Sequence, residues 1–321
     1  MQEKGHEFFI VARDKDCTFQ LLDSAGLPYV SRGKGSSGIL GRVFYMLRTD
    51  ATMVKQARKF NPHLFISFGS PYLAHAAFLL RKPHVVFDDT DHNPLVQLLY
   101  KPFTRAIAVP SCYTNKKTHK HITFNSYLEL AYLHPNYFTP DTSITAQLGL
   151  SANTQYVILR FVSHKVVHDI GKRGITNDVK IRTVTEFSKY ARVFVSSETE
   201  LPDVLKSFAF PLPPEKMHDA LAYASLLYGD SASMAAEAAV LGVPAIYADQ
   251  KGTGYTDELE ARYGLVFNYP VNAKSIDGSI QKGIEILQNN AGKEEFQQRR
   301  QQMLNEKIDT TEFMVKFVET R

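Results

Sequence analysis

Short apolar runs recur along the chain at residues 8–11, 64–68, 85–87 and 106–109, and again at 156–159, 193–195, 225–228 and 245–247. Each is short, predominantly apolar and without regular polar alternation, the pattern of strands buried on both faces of a parallel sheet. Stretches with helical periodicity separate them, at 39–60, 72–80 and 94–100 in the first series and at 179–190, 217–224 and 232–241 in the second. Strand and helix therefore alternate, which predicts two α/β units built on parallel sheets. Residues 276–287 and 294–318 read as helices that end the chain. Between 132 and 153 the pattern turns irregular, with His134-Pro135, Thr139-Pro140 and Ser151-Ala152-Asn153. The interdomain crossing is expected there.

Glu3-Lys4-Gly5-His6 has the form of a helix end with its glycine stop, yet it stands almost at the start of the sequence. A doubly wound domain opens with a central strand, a loop at the ligand cleft and a helix that ends in this way. The expectation is that the first domain lacks its first strand-helix unit. The alternative is a sheet that begins at 8–11.

At 321 residues the chain suits two domains of ordinary size, each able to bury a core. Its apolar and charged fractions, 44% and 22%, are those of a globular protein, and no apolar run approaches the roughly 20 residues that span a bilayer. Neither a secretory signal nor a disulfide framework is expected, since the chain has two cysteines, Cys17 and Cys112, far apart. A cytoplasmic location follows from that reading. Residues 1–140 hold 17 Lys and Arg against 10 Asp and Glu, whereas the remainder hold 20 against 23. Arg42, Arg48, Lys55, Arg58 and Lys59 fall in one helical region, and Lys116, Lys117 and Lys120 in another. Such a basic half suits solvated helix faces, or a peripheral contact with anionic lipid at the inner membrane face or with a phosphorylated acceptor. No nucleic-acid motif accompanies the charge, so nucleic acid is not an expected partner.

The stretch 228–244 carries the most chemistry. Gly229 and Asp230 turn the chain after a strand, Ser231 is suited to cap a helix beginning near Ala232, and Gly242 with Pro244 ends that helix. Free N–H groups at a helix start suit a diphosphate. Ser233 and Glu237 are four apart on one face, where a carboxylate can accept from two ribose hydroxyls. An ordinary capped helix is the competing reading.

Further candidates sit after other strands. Gly33-Lys34-Gly35-Ser36-Ser37-Gly38 matches the dinucleotide fingerprint, but no acidic residue stands about 20 positions on at a strand end. It reads instead as a phosphate or acceptor loop with Lys34 as a counter-charge, or as a plain Gly/Ser loop. Asp88-Asp89-Thr90-Asp91-His92 follows the strand at 85–87, where mutual repulsion should raise at least one carboxyl and make Asp88, Asp89 or Asp91 a general base, with His92 a second proton carrier; helix capping is the competing reading for Asp91. Arg160 and Lys165 are placed to neutralise a leaving diphosphate, and His164 to reach a sugar. His164 and His168, four apart, are too little to argue for zinc. Gly252 and Gly254 belong to a loop at 248–256 that can wrap a ligand, with Thr256 as the expected N-cap and Gly254, Tyr255 and Thr256 as contacts.

Gly229-Asp230-Ser231, Glu237 and Gly242-Val243-Pro244 together resemble the GT-B superfamily, which comprises nucleotide-sugar glycosyltransferases and UDP-N-acetylglucosamine 2-epimerases. Gly33-Lys34-Gly35-Ser36-Ser37-Gly38, Ser67-Phe68-Gly69-Ser70-Pro71, Pro110-Ser111-Cys112 and Gly254-Tyr255-Thr256-Asp257-Glu258 are similar to an uncharacterised GT-B-like family of archaea and bacteria. The resemblance implies two Rossmann-like domains facing a cleft: an N-terminal, acceptor-side domain at 1–140, a C-terminal, nucleotide-sugar domain at 141–300, and a helix at 301–321 that packs back on the first. It further implies that Glu237 takes the ribose of a nucleotide sugar, UDP-linked, while Ser231 and Ser233 take its diphosphate, and that no cofactor or catalytic metal is needed. Gly69 and Ser70 would belong to an acceptor or phosphate loop. A histidine in the 2-epimerases occupies a loop comparable to that of His164. The expected activity is glycosyl transfer to a surface glycan or lipid-linked acceptor. The alternatives are 2-epimerisation, for which the Ser67-Phe68-Gly69-Ser70 loop lacks an acidic residue, and a non-catalytic binding protein.

Overall fold

A computed structural model describes residues 1–35, 38–91, 94–151, 153–163, 174–289 and 292–321. They form two compact units, one of Met1–Asn125 with Thr311–Arg321, the other of Ser126–Thr310.

In the first unit β1 (Ile10–Ala12) and β2 (Tyr29–Ser31) make a two-stranded parallel ribbon, joined by α1 (Thr18–Ser24). The long α2 (Ile39–Phe60) leads to β3 (Phe65–Ser67), the edge of a second parallel sheet ordered β3-β4-β5-β6. Its other strands are β4 (His84–Phe87), β5 (Ala106–Pro110) and β6 (His121–Phe124), and α3 (Pro71–Leu79) and α4 (Pro94–Tyr100) provide the first crossovers. Thr49, Met53 and Ala57 recur every fourth residue on the buried face of α2, and the last two join Phe65, Ala76 and Ala77 in one apolar cluster. The strands β4 and β5 are buried at every position, which is why they stand out in the sequence. By contrast β1, β2 and β6 are short and partly exposed, so β2 and β6 have no clear apolar signature.

The second unit begins with two short helices, α5 (Leu130–Leu133) and α6 (Ile144–Gln147). It then alternates β7 (Tyr156–Phe161), α7 (Asn177–Phe187), β8 (Arg192–Ser197), α8 (Met217–Tyr223), β9 (Leu226–Gly229), α9 (Ala232–Val240), β10 (Ala245–Ala248), α10 (Gly254–Glu258), β11 (Val266–Tyr269) and α11 (Ala273–Gln288). The sheet is parallel throughout with order β11-β10-β9-β7-β8. From β7 the chain moves outward to β8, then returns to β9 and moves outward the other way. That reversal between β7 and β9 is the position at which doubly wound sheets hold their ligands. One core layer unites Val157, Leu159 and Phe161 with Phe187, Leu226 and Tyr228. Each such burial contributes roughly 1.5–3 kcal/mol. Helix α11 packs closely at Gly283, where a Cβ would lie 2.5 Å from the Phe187 ring of α7 and 3.2 Å from Leu226 of β9.

Two sequence expectations change. Residues 294–318 are not one helix but α12 (Gly292–Glu306) and α13 (Thr310–Glu319). The break accommodates Lys307, whose side chain is 1% exposed, pairs with Glu258 and lies 4.5 Å from the Tyr127 ring centre. Residues 126–140, grouped by sequence with the first domain, belong to the second unit. Leu130 and Leu133 are buried there, and Thr310 Oγ1 bonds Ser126 Oγ at 2.7 Å and donates to the Tyr127 carbonyl at 2.9 Å. The end of the chain, in turn, packs in the first unit, with Phe313 stacked on Phe124 at 4.8 Å and Phe317 against Phe87 at 5.5 Å. No helix among the described residues is long and apolar enough to cross a membrane.

Candidate functional site

In the second unit, the residues singled out by sequence gather where the strand order reverses. Arg160 and Gly229 are partners across β7 and β9, and Asp230 follows directly. A side chain at 229 cannot be accommodated, because a Cβ would stand 1.9 Å from the Arg160 carbonyl oxygen. Asp230 is buried, and its Oδ1 accepts from the Val162 N–H at 2.8 Å, which ties the loop after β7 to the turn before α9. Ser231 caps α9 as expected, its Oγ accepting from the Met234 N–H at 3.4 Å. Ser233 is exposed on the first turn. The other end of α9 is held by α12: Arg300 Nε donates to the Val240 carbonyl at 2.8 Å, and Gln297 Nε2 to those of Leu241 and Gly242 at 3.2 Å each. The carbonyls at that far end are thus satisfied, with a cation beside the negative end of the helix.

Arg160 is not an isolated cation. Its guanidinium donates to Ser196 Oγ at 2.9 Å and to Glu198 Oε1 at 2.6 Å, while Glu198 Oε2 accepts from the Ser163 N–H at 3.0 Å. Glu198 was not foreseen, although it lies only three residues past the apolar run at 193–195. Glu237 is likewise already engaged: its Oε1 accepts from Tyr132 Oη at 2.9 Å and lies 3.2 Å from His218 Nε2. Tyr132 and His218 were also not anticipated. They come from α5 and α8, and no local sequence signal links them to α9.

At the end of β10, Thr253, not Thr256, is the N-cap of α10. The two form a reciprocal capping box in which Thr253 Oγ1 accepts from the Thr256 N–H and Thr256 Oγ1 from the Thr253 N–H. Thr256 is wholly buried and its hydroxyl is committed to that box; Gly254 and Tyr255 are buried beside it.

In the first unit, the acidic loop after β4 divides its labour. Asp88 is buried, accepting from the Thr90 N–H at 2.9 Å, from Gln97 Nε2 at 3.2 Å and from the Tyr100 hydroxyl. It shapes the loop. Asp91 Oδ1 accepts from the Thr114 N–H at 3.0 Å, anchoring the loop to the segment after β5. Among the described residues, Asp89 is the member of the three whose carboxylate bonds to no other residue. His92 lies outside the described residues, as do Ser36, Ser37, His164, Lys165 and His168, so the expectations placed on them have no structural counterpart here. Among the described residues no group of three His, Cys, Asp or Glu is arranged to hold a metal ion.

The two remaining loops are shaped by glycine and by a buried histidine. Gly33 has φ +74°, and Gly35 is pressed against the Arg13 guanidinium, where a Cβ would lie 2.0 Å away. Lys34 is largely exposed and stands 3.9 Å from Asp14. Gly69 has φ +62° and leads into Ser70 at the start of α3. His84 secures that loop. Thr104 Oγ1 donates to the Tyr100 carbonyl at 2.8 Å, so His84 Nδ1 donates to Thr104, and Ser67 donates to Nε2 while accepting from the Ser70 N–H at 3.1 Å. Burial lowers the imidazole to about 4, so it stays neutral in that chain.

Burial, and next the charge of Asp88, raises the Asp89 carboxyl from 3.8 to about 6. The folded chain therefore holds this proton more tightly than the unfolded chain does. Its contribution is complete below pH 4 and is lost as pH rises to 6, on the order of 2–3 kcal/mol. Asp89→Asn should abolish that decline, as measured by urea denaturation at a series of pH values from 4 to 7. A mutant as steeply pH-dependent as the wild type would remove the assignment.

No protein-family model and no curated protein sequence matches this chain. Solved structures do. UDP-GlcNAc 2-epimerase from Neisseria meningitidis, bound to UDP-GlcNAc, is 12% identical with a TM-score of 0.69, over 100% of this chain and 94% of that one. UDP-GlcNAc 2-epimerase from Methanocaldococcus jannaschii is 13% identical with a TM-score of 0.60, over 93% and 92%. MurG from Acinetobacter baumannii is 13% identical with a TM-score of 0.59, over 100% and 93%. At such identities the likeness concerns the fold: this chain, with its two parallel α/β units, shares the GT-B architecture of glycosyltransferases and UDP-GlcNAc 2-epimerases.

Proposed function

We propose that this protein is an enzyme acting on a nucleotide-activated sugar, and that the second unit holds the nucleotide. One observation carries the reading: the reversal of strand order between β7 and β9 falls at the Gly229-Asp230-Ser231 turn and the free end of α9, within a fold whose solved examples include a UDP-GlcNAc complex. The first-turn N–H groups of α9, with Ser231 and Ser233, serve the diphosphate. Arg160, balanced by Glu198, supplies a positioned donor more than net charge. Glu237 accepts from the ribose hydroxyls, and Tyr132 and His218 set its orientation. Isothermal titration with UDP should show affinity falling about 10- to 100-fold in Glu237→Ala, the loss of hydrogen bonds to a charged acceptor at about 1.5–3 kcal/mol. Unchanged affinity would remove the ribose role.

The reaction we favour is glycosyl transfer to a surface-glycan or lipid-linked acceptor. Asp89 is the proposed base for the acceptor hydroxyl, since a carboxyl near 6 is matched to proton abstraction close to neutrality. Epimerisation at C2 is the second reading, because two of the solved structures above are 2-epimerases. Incubation with UDP-GlcNAc alone separates the two: transfer requires an acceptor, so the sugar should be recovered unchanged. A C2 epimer in the product mixture would establish the second reading.

A lipid-linked acceptor implies access to a membrane surface. Supporting that, α2 exposes Val43, Phe44 and Leu47 between the exposed Arg42 and Arg48, apolar and cationic groups on one helix. Co-sedimentation with vesicles containing phosphatidylserine should exceed that with neutral vesicles and fall in Phe44→Ser/Leu47→Ser. Equal sedimentation with both vesicle types would argue against an electrostatic membrane contact.

A further inference from the structure

Helix α7 carries a lysine where its packing calls for an apolar residue. Thr176 Oγ1 caps the helix by accepting from the Val179 N–H at 3.5 Å, and the buried stripe behind it runs Lys180, Thr183, Val184 and Phe187, the spacing of a core-facing surface. Lys180 opens that stripe and is 8% exposed. Its ammonium lies 5.1 Å from the centre of the Phe161 ring, and no described residue accepts a hydrogen bond from it. Phe161 is the last residue of β7. Because Arg160 pairs with Gly229 across β7 and β9, Phe161 and Asp230 follow side by side, and the ammonium stands at the reversal of strand order.

The folded chain by itself disfavours a charge at this place. Burial strips an ion of its water, and an aromatic face at that distance returns only part of the loss, roughly 0.5–2 kcal/mol. The first turn of a helix is also its positive end, where a cation is repelled. Asp230 attracts the ammonium, but its Oδ1 already accepts from the Val162 N–H, and burial outweighs the attraction: the pKa of Lys180 is lowered from the ordinary lysine value. The charge therefore destabilises the ligand-free fold. A phosphate held there reverses the balance, since it accepts the hydrogens of the ammonium and is attracted by the same helix start that repels a lysine.

We propose that Lys180 is a phosphate-binding residue, whose ammonium donates to the diphosphate of the nucleotide in the second unit and adds a cation from α7 to the amides at the start of α9. The proposal rests on the nucleotide reading above and extends it to a side chain that no sequence motif marks, because a single lysine in a helical stretch has the look of a solvated position. Arg160 is balanced by Glu198 and bonded to Ser196, whereas the hydrogens of Lys180 have no such acceptor among the described residues.

Titration calorimetry of UDP with the wild type, Lys180→Met and Lys180→Gln tests the assignment. Methionine keeps an extended side chain over Phe161 without the charge, and glutamine keeps a donor without it. Both variants should bind UDP about tenfold or more weakly, the loss of one charge-assisted hydrogen bond, and the constant for displacement of UDP by inorganic pyrophosphate should rise by a similar factor. Without ligand, the thermal midpoint of Lys180→Met should equal or exceed that of the wild type, because a desolvated charge has been removed. Equal UDP affinity in all three proteins would overturn the role of Lys180. A loss of UDP affinity with an unchanged pyrophosphate constant would overturn it too, by placing the effect away from the phosphates. So would a lowered midpoint in ligand-free Lys180→Met, the mark of a structural ion pair with Asp230. A wild type that does not bind UDP would instead contradict the nucleotide reading itself, and the role of Lys180 with it.

Discussion

Strands β7 and β9 run so close at Arg160 and Gly229 that any side chain at position 229 would collide with the Arg160 carbonyl oxygen. That contact lies at the one position in the second sheet where strand order reverses, and the groups around it follow from it. With the backbones in contact, the loop after β7 and the turn after β9 become neighbours, and buried Asp230 locks them together through the Val162 N–H. A buried carboxylate with that bond is costly to disturb, since breaking it leaves an unsatisfied charged acceptor. The start of α9 is therefore held in a defined position, with Ser231 on its first amides and α12 gripping its far end.

Electrostatics in the two units are handled differently. In the second, charged groups are paired, Arg160 with Glu198 and Lys307 with Glu258, and Glu237 lies 3.2 Å from His218 Nε2. Such pairing fixes side-chain geometry and keeps the net field small. In the first, three acidic residues share a loop and are separated by function. Asp88 and Asp91 spend their oxygens on backbone and side-chain donors, whereas Asp89 is left with a raised carboxyl. Burial beside a second carboxylate is what sets it apart.

Much of the second sheet was legible because its strands are buried on both faces and so read as apolar runs. The helix at 232–240 was equally plain, since its cap, its small residues and its glycine stop are all local signals. Strands at sheet edges were not: β2, β6 and β11 are partly exposed and carry mixed residues, so they look like connecting segments. The cap of α10 was misplaced from Thr253 to Thr256 because a capping box engages both residues, and only backbone geometry shows which lies outside the helix. Likewise the long terminal helix divides at a buried lysine whose partners, Glu258 and Tyr127, are remote in the sequence.

What the chain by itself determined is the alternation of strand and helix, the parallel character of the sheets, and the chemistry present at each strand end, because these rest on periodicity and on interactions a few residues in range. Tertiary structure alone decided which groups meet. Tyr132 reaches Glu237 across 105 positions, and Ser67 reaches His84 across 17. It also decided that the strands of the first unit form two separate ladders, β1 with β2 and β3 through β6, since hydrogen bonding between strands depends on where edges come to lie and leaves no mark in local sequence.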